Sequence, residues 1–134
     1  MVDVLVSQDY KASADKVWEK IRSFTGLADW MPGLKCEASD SGKTRKLTLP
    51  TGGVIVETLE KFDESARTYG YTIVTGPLPV KDYHSQIKVV PRTEGCTVEW
   101  TGKFEAVGPE AVAKGIIEGI YRGGLTAIGV AVGG

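Results

Sequence analysis

The chain has 134 residues, which is one domain of ordinary size and enough to bury a core without disulfide or metal staples. Apolar residues make up 42% and charged residues 25%, a balance that excludes a disordered chain. The 16 Lys and Arg stand against 17 Asp and Glu and are interspersed with them, which excludes the basic face that nucleic acid or an anionic membrane would require.

Val2, Val4 and Val6 alternate with Asp3, Leu5 and Ser7, a period of two that predicts an opening strand. Ser13 has the chemistry of an N-cap, and Asp15 stands where an acid favours the first turn. Val17, Trp18, Ile21 and Phe24 follow at helical spacing, so a helix is predicted from about Ala14 to Ser23. Leu27 to Met31 forms a short second helix or turn, closed by Pro32-Gly33, because proline disfavours helix in the residue before it. From Leu34 to Glu105 the pattern is one of about six strands. Asp40-Ser41-Gly42, Thr51-Gly52-Gly53, Asp63-Glu64-Ser65 and Arg92-Thr93-Glu94-Gly95 punctuate it as hairpin turns. Thr75 to Asp82, with Pro77 and Pro79, is the longest irregular stretch.

After Gly108-Pro109 a long final helix is predicted, with Pro109 in its first turn. Val112, Ile116, Ile120 and Gly124 form one stripe on it, with Ala113, Ile117 and Tyr121 beside them. Gly115, Gly119 and Gly123 recur every four residues, each costing roughly 1 kcal/mol relative to alanine. Packing must therefore hold this helix, and the glycines serve either close approach to another element or room for a ligand. The element order predicts an α+β fold, a single domain over 1–134, in which the final helix covers one face of an antiparallel sheet.

Cys36 and Cys96 lie far apart without metal-type spacing and are read as reduced thiols. No secretory signal opens the chain, and Glu118 and Arg122 interrupt the apolar C-terminus. The expectation is a cytoplasmic protein with no membrane span. His84 is the single histidine, and on a strand it points away from its neighbour Ser85, which excludes a nucleophile–base pair. No residues have the spacing of a metal site or a phosphate-binding glycine loop. Any catalysis is expected to be acid–base chemistry without cofactor or metal.

Several segments carry a family resemblance. They are Ser13-Ala14-Asp15-Lys16-Val17-Trp18, Leu27-Ala28-Asp29-Trp30-Met31-Pro32, Val98-Glu99-Trp100-Thr101-Gly102-Lys103-Phe104 and Tyr121-Arg122-Gly123-Gly124-Leu125. Through them the whole chain resembles the SRPBCC superfamily, the START, birch-pollen-allergen and polyketide cyclase/dehydrase group, and within it a polyketide cyclase/dehydrase-like member. The resemblance implies a helix-grip: a bent seven-stranded antiparallel sheet wrapped around a long C-terminal helix, with two short helices between strands 1 and 2. The first strand would border the seventh and the second would lie at the far edge. Cys36 and Cys96 would then be well beyond the roughly 7 Å span of a disulfide. Members include lipid carriers, hormone receptors, aromatic cyclases and lyases, so the fold does not choose among them.

Arg67 to Ser85 resembles the matching stretch of plant abscisic-acid receptors, where the equivalents of Tyr83 and Ser85 point at the ligand. The receptors' own loop motifs are absent at Pro50-Thr51-Gly52-Gly53 and Gly76-Pro77-Leu78-Pro79-Val80, which argues against hormone reception. Strand alternation carries the remaining assignments. Tyr83, Ser85 and Ile87 are expected to face inward, as are Tyr69, Tyr71 and Ile73, then Ile55, Glu57 and Leu59, then Val98, Trp100 and Phe104. Leu47 and Leu49 join them, with Leu78 from the loop and Ile116, Ile120 and Gly124 from the final helix. Lys35 is read as a solvated edge residue. Glu57 is the informative member, because a buried carboxylate is costly unless it is paired or hydrogen-bonded. Tyr71 and Tyr83 are its expected partners, and desolvation would raise its pKa.

The leading expectation is a protein that binds or carries a small hydrophobic ligand, aromatic or polycyclic, with homodimerisation left open. The alternative is a cofactor-independent cyclase, dehydratase or isomerase in which Glu57 and Tyr83 carry the catalytic acid–base chemistry.

Overall fold

The computed structural model describes residues 1–134. A strand β1 (Val2–Tyr10) leads into helix α1 (Ala14–Ile21) and a 3-10 turn (Leu27–Asp29). Six strands follow: β2 (Lys35–Ser39), β3 (Thr44–Thr48), β4 (Val54–Asp63), β5 (Thr68–Thr75), β6 (Val80–Pro91) and β7 (Cys96–Ala106). Helix α2 (Glu110–Val132) closes the chain. The strands form one antiparallel sheet in the order β1-β7-β6-β5-β4-β3-β2, so the architecture is the expected seven-stranded α+β helix-grip.

Local chemistry sets the elements. Ser13 accepts the Lys16 amide and caps α1, whose Val17, Trp18 and Ile21 are buried. Trp18 donates to Glu64 at 2.8 Å, tying α1 to the β4–β5 turn. That turn is itself fixed by Asp63, which accepts from Ser65 Oγ and the Ala66 amide. Pro109 is the cap residue of α2, one position earlier than expected. The strand register shifts at Val56/Glu57 and Leu59/Lys61 between β4 and β5 and at Lys81/His84 between β6 and β7. Such irregularities add local twist and let a sheet curl around a helix.

The phase of α2 differs from the sequence expectation. Its buried residues are Ala113, Ile117, Tyr121, Gly124, Leu125, Ile128 and Val132, whereas Val112, Ile116 and Ile120 are 54%, 39% and 38% exposed. The glycine stripe differs too. A Cβ on Gly115, Gly119 or Gly123 would meet nothing within 4 Å, so these glycines serve neither close packing nor a ligand beneath the helix. The close approaches belong to other glycines. A Cβ on Gly124 would strike the Trp100 ring, and one on Gly102 would strike the Tyr121 hydroxyl. These two absent side chains let Tyr121 stack on Trp100, with centroids 5.0 Å apart and planes 9° from parallel. Tyr10 donates to the Leu125 carbonyl and pins α2 to β1. By length and composition α2 could also cross a membrane; in this fold its buried face is the lid of the core.

Cys36 and Cys96 are both free thiols. Four strands, β3 to β6, separate β2 from β7, and at about 4.8 Å per strand no disulfide spans them.

Candidate ligand-binding cavity

A cavity of about 130 Å³ lies between the concave face of the sheet and α2. Four depressions of about 500, 640, 590 and 290 Å³ are larger, but they are more open to solvent. The interior cavity has the most apolar walls of all, the usual character of a small-molecule site.

Strand alternation delivers most of its lining. Leu47 comes from β3, Ile55 and Glu57 from β4, Tyr71 and Ile73 from β5, Tyr83 from β6 and Trp100 from β7. Leu49 and Leu78 stand at the rim, on the β3–β4 and β5–β6 connections. Ile120 reaches the wall from the edge of α2 despite its partial exposure.

Other expected residues lie elsewhere. Ile116 points outward, because the buried arc of α2 is centred on Ile117, Tyr121 and Leu125. Leu59 is half-buried beyond the cavity, past the shift in β4 that re-aims the strand. Tyr69 is fully buried but packs edge-on against Phe24, at 5.9 Å, and against Trp18. Val98 is part of the solid core. Ser85 spends its hydroxyl on the Thr101 carbonyl and the Tyr121 hydroxyl. Gly124 seats Trp100 rather than lining the space. Lys35 is exposed, as expected.

Glu57 is the largest correction. It is buried at 6% exposure and lies in the cavity wall, yet its partner is neither tyrosine. Arg45, 1% exposed, donates from Nε to Glu57 Oε1 at 2.7 Å, and its Nη2 lies in ion-pair contact with the same oxygen, also at 2.7 Å. A further Arg45 nitrogen donates to the Phe24 carbonyl at 2.8 Å. The guanidinium lies 4.0 Å from the Phe24 ring centroid and 4.8 Å from that of Tyr71, a favourable cation–π arrangement. Burial pushes the Glu57 carboxyl above its ordinary range, and the Arg45 charge and hydrogen bond pull against that. For Arg45, burial acts downward and is the largest single effect, but the Glu57 carboxylate, together with Tyr69, Tyr71 and the Glu57 hydrogen bond, outweighs it and holds the guanidinium above its usual value.

The signal for Arg45 was present in the sequence. The alternation that points Leu47 inward also points Arg45 inward, and Arg45 stands directly across from Glu57 in the β3–β4 register. Leu27, Met31, Leu34 and Ile117 also line the cavity and were not singled out. Leu27 opens the short 3-10 turn, and Met31 and Leu34 lie in the chain between it and β2, where no sustained period reports direction.

The tyrosine hydroxyls form a second network. Tyr83 is hydrogen-bonded to Tyr121, which bonds Ser85 at 2.9 Å. Tyr71 accepts from Trp100 Nε1 at 3.1 Å. Burial raises Tyr71 and Tyr83 well above the ordinary phenol range. Tyr121 is pushed up to about 12 by burial, against the lowering effect of its bonds to Ser85 and Tyr83. Buried hydroxyls that bond one another are satisfied structural groups, and all of them stay protonated at neutral pH.

A bent antiparallel sheet gripping a C-terminal helix, with a mainly apolar cavity between them, defines a helix-grip protein of the SRPBCC type. The chain belongs to the polyketide cyclase / dehydrase and lipid transport family, whose pattern matches residues 1–132. It is similar to the protein XoxI from Bacillus cereus, at 36% identity over 98% of this chain and 96% of that one, with a TM-score of 0.93. It is equally similar to an uncharacterised protein from Bacillus thuringiensis, at 35% identity over 98% of each chain and a TM-score of 0.93. Norcoclaurine synthase from Thalictrum flavum, in complex with dopamine and hydroxybenzaldehyde, shares the fold at 23% identity, over 98% of this chain and 86% of that one, with a TM-score of 0.78. No curated protein matches the chain.

Proposed function

We propose that this protein binds and carries a small hydrophobic molecule in the space between sheet and α2. The observation that supports this most is the mainly apolar cavity of about 130 Å³ between sheet and helix, in a chain of a family described by cyclase, dehydrase and lipid-transport members. A dry cavity of about 150 Å³ is enough to hold benzene, so the space as it stands fits one ring or a short alkyl chain. Ligand pockets more often measure about 300–1,000 Å³. A polycyclic ligand therefore requires Leu49, Leu78 and Ile120 at the rim to move apart. The two free thiols favour work in a reducing compartment such as the cytoplasm.

The reading is tested by titrating the protein with toluene and following its amide and indole resonances. Saturable shifts are expected at Ile55, Ile73, Leu78 and the Trp100 indole, and an Ile117→Phe variant that fills the space should abolish them. Shifts scattered over the surface, or none, would rule out the cavity as a binding site.

A second reading, supported by the position of Glu57 in the wall, is a cofactor-independent cyclase, dehydratase or isomerase with Glu57 and Tyr83 as the acid–base pair. In that case Glu57→Gln should retain ligand binding and lose turnover, since only proton transfer is removed.

A further inference from the structure

We propose that the cavity selects a neutral hydroxyl group, an alcohol, phenol or enol carried on a ring-sized apolar body, and sets its O–H on Glu57 Oε2. The inference rests on the reading of the cavity as a ligand site. Both Arg45 contacts to Glu57 fall on Oε1. A third Arg45 donor is turned to the Phe24 carbonyl, and the rings of Phe24 and Tyr71 flank the guanidinium. Oε2 has no partner in the protein, although the Glu57 side chain is only 7% exposed and forms part of the cavity wall. The cavity thus presents one free carboxylate oxygen in a mainly apolar wall, the Tyr71 and Tyr83 hydroxyls in that wall being engaged by Trp100 and Tyr121.

Charge sets which donor fits. Arg45 and Glu57 together are neutral, so the floor of the cavity has no net charge to offer. A carboxylate ligand would bring a like charge onto Oε2. An ammonium ligand would be a third buried charge beside a pair that is already balanced, and an uncompensated buried ion is strongly disfavoured. A hydroxyl donates one proton to Oε2 and carries no charge into the cavity. An apolar molecule of equal size would cover Oε2 without giving it a hydrogen bond, which lowers affinity. Hydrogen bonds to charged groups contribute enough for about a 10- to 100-fold preference.

The test compares phenol, toluene, benzylammonium and benzoate as probes of the wild-type protein by calorimetry and NMR. Phenol should bind at least about tenfold more tightly than toluene, with benzylammonium and benzoate not binding. The Glu57 carboxyl ¹³C resonance should move with phenol and stay in place with toluene. In the double variant Arg45→Met/Glu57→Leu, toluene should still bind and the preference for phenol should vanish. Equal binding of phenol and toluene to the wild type would overturn the hydroxyl selection while leaving the cavity as a ligand site. Binding of none of the four would overturn both. Tight binding of benzoate or benzylammonium, or a phenol preference that survives in the double variant, would show that Glu57 is not the selecting group.

Discussion

Removing the Arg45 guanidinium tests whether the buried pair is as tightly coupled as its geometry implies. In Arg45→Met, Glu57 keeps its place at 6% exposure but loses a donor at 2.7 Å and the compensating charge of an ion pair at the same distance. Breaking a buried pair from one side costs about 3–5 kcal/mol, because the remaining ion is left uncompensated. For 134 residues that is a fall in melting temperature of roughly 10–18 °C. The double variant Arg45→Met/Glu57→Leu removes both charges and should recover most of the loss, since apolar replacement of a whole buried pair is commonly neutral or stabilising. The pH dependence supplies a second signature. Without Arg45, burial raises the folded-state pKa of Glu57 unopposed. A carboxyl raised in the folded state contributes most below its unfolded pKa near 4.3, and the contribution is lost as pH rises through the folded value. The single variant should therefore lose more stability at pH 7 than at pH 4.5. Urea denaturation of wild type, both single variants and the double at these two pH values measures the coupling. A single-variant loss below about 1 kcal/mol, or a double variant no more stable than Arg45→Met, would refute the account.

The five tyrosines are all pushed up by burial, Tyr121 to about 12. Their contribution to stability is intact below the unfolded value near 10 and is lost as pH rises through the folded values, so tyrosinate absorbance should appear only together with alkaline unfolding; a smooth titration centred near pH 10 in folded protein would contradict this. Gly124→Ala and Gly102→Ala should each destabilise by about 1–3 kcal/mol through overpacking against Trp100 and Tyr121, while Gly119→Ala, open to solvent, should stabilise by up to about 1 kcal/mol; denaturant midpoints would show a reversed order at once if the phase of α2 were wrong. Burial raises both cysteine thiols, so a thiol reagent at neutral pH should label Cys96 slowly and both residues fully only after unfolding, and fast labelling of native Cys96 would place β7 differently.

Much of this protein was legible in its sequence. The family resemblance anchored the inward phase at Tyr83 and Ser85, and period-two alternation gave the rest of the inward faces of β4 to β7, since a strand's faces follow from backbone geometry once one residue is anchored. The turns, the cap at Ser13 and the two short helices were likewise local matters, settled by residues a few positions apart. The family segments carried the strand order.

Only the tertiary structure decided the phase of α2. Its apolar residues and glycines occupy nearly every direction around the axis, so the pattern does not say which arc is buried. The stacking of Tyr121 on Trp100 and the contact at Gly124 decide that, and each joins residues from distant parts of the chain. The same holds for Glu57. Its inward direction was a local property of β4, but its partner was a question of register between two strands, and that register put Arg45 opposite it. Period and propensity report which way a side chain points. What it meets there depends on which segments the folded chain brings together, and so on the packing of the whole sheet against one helix.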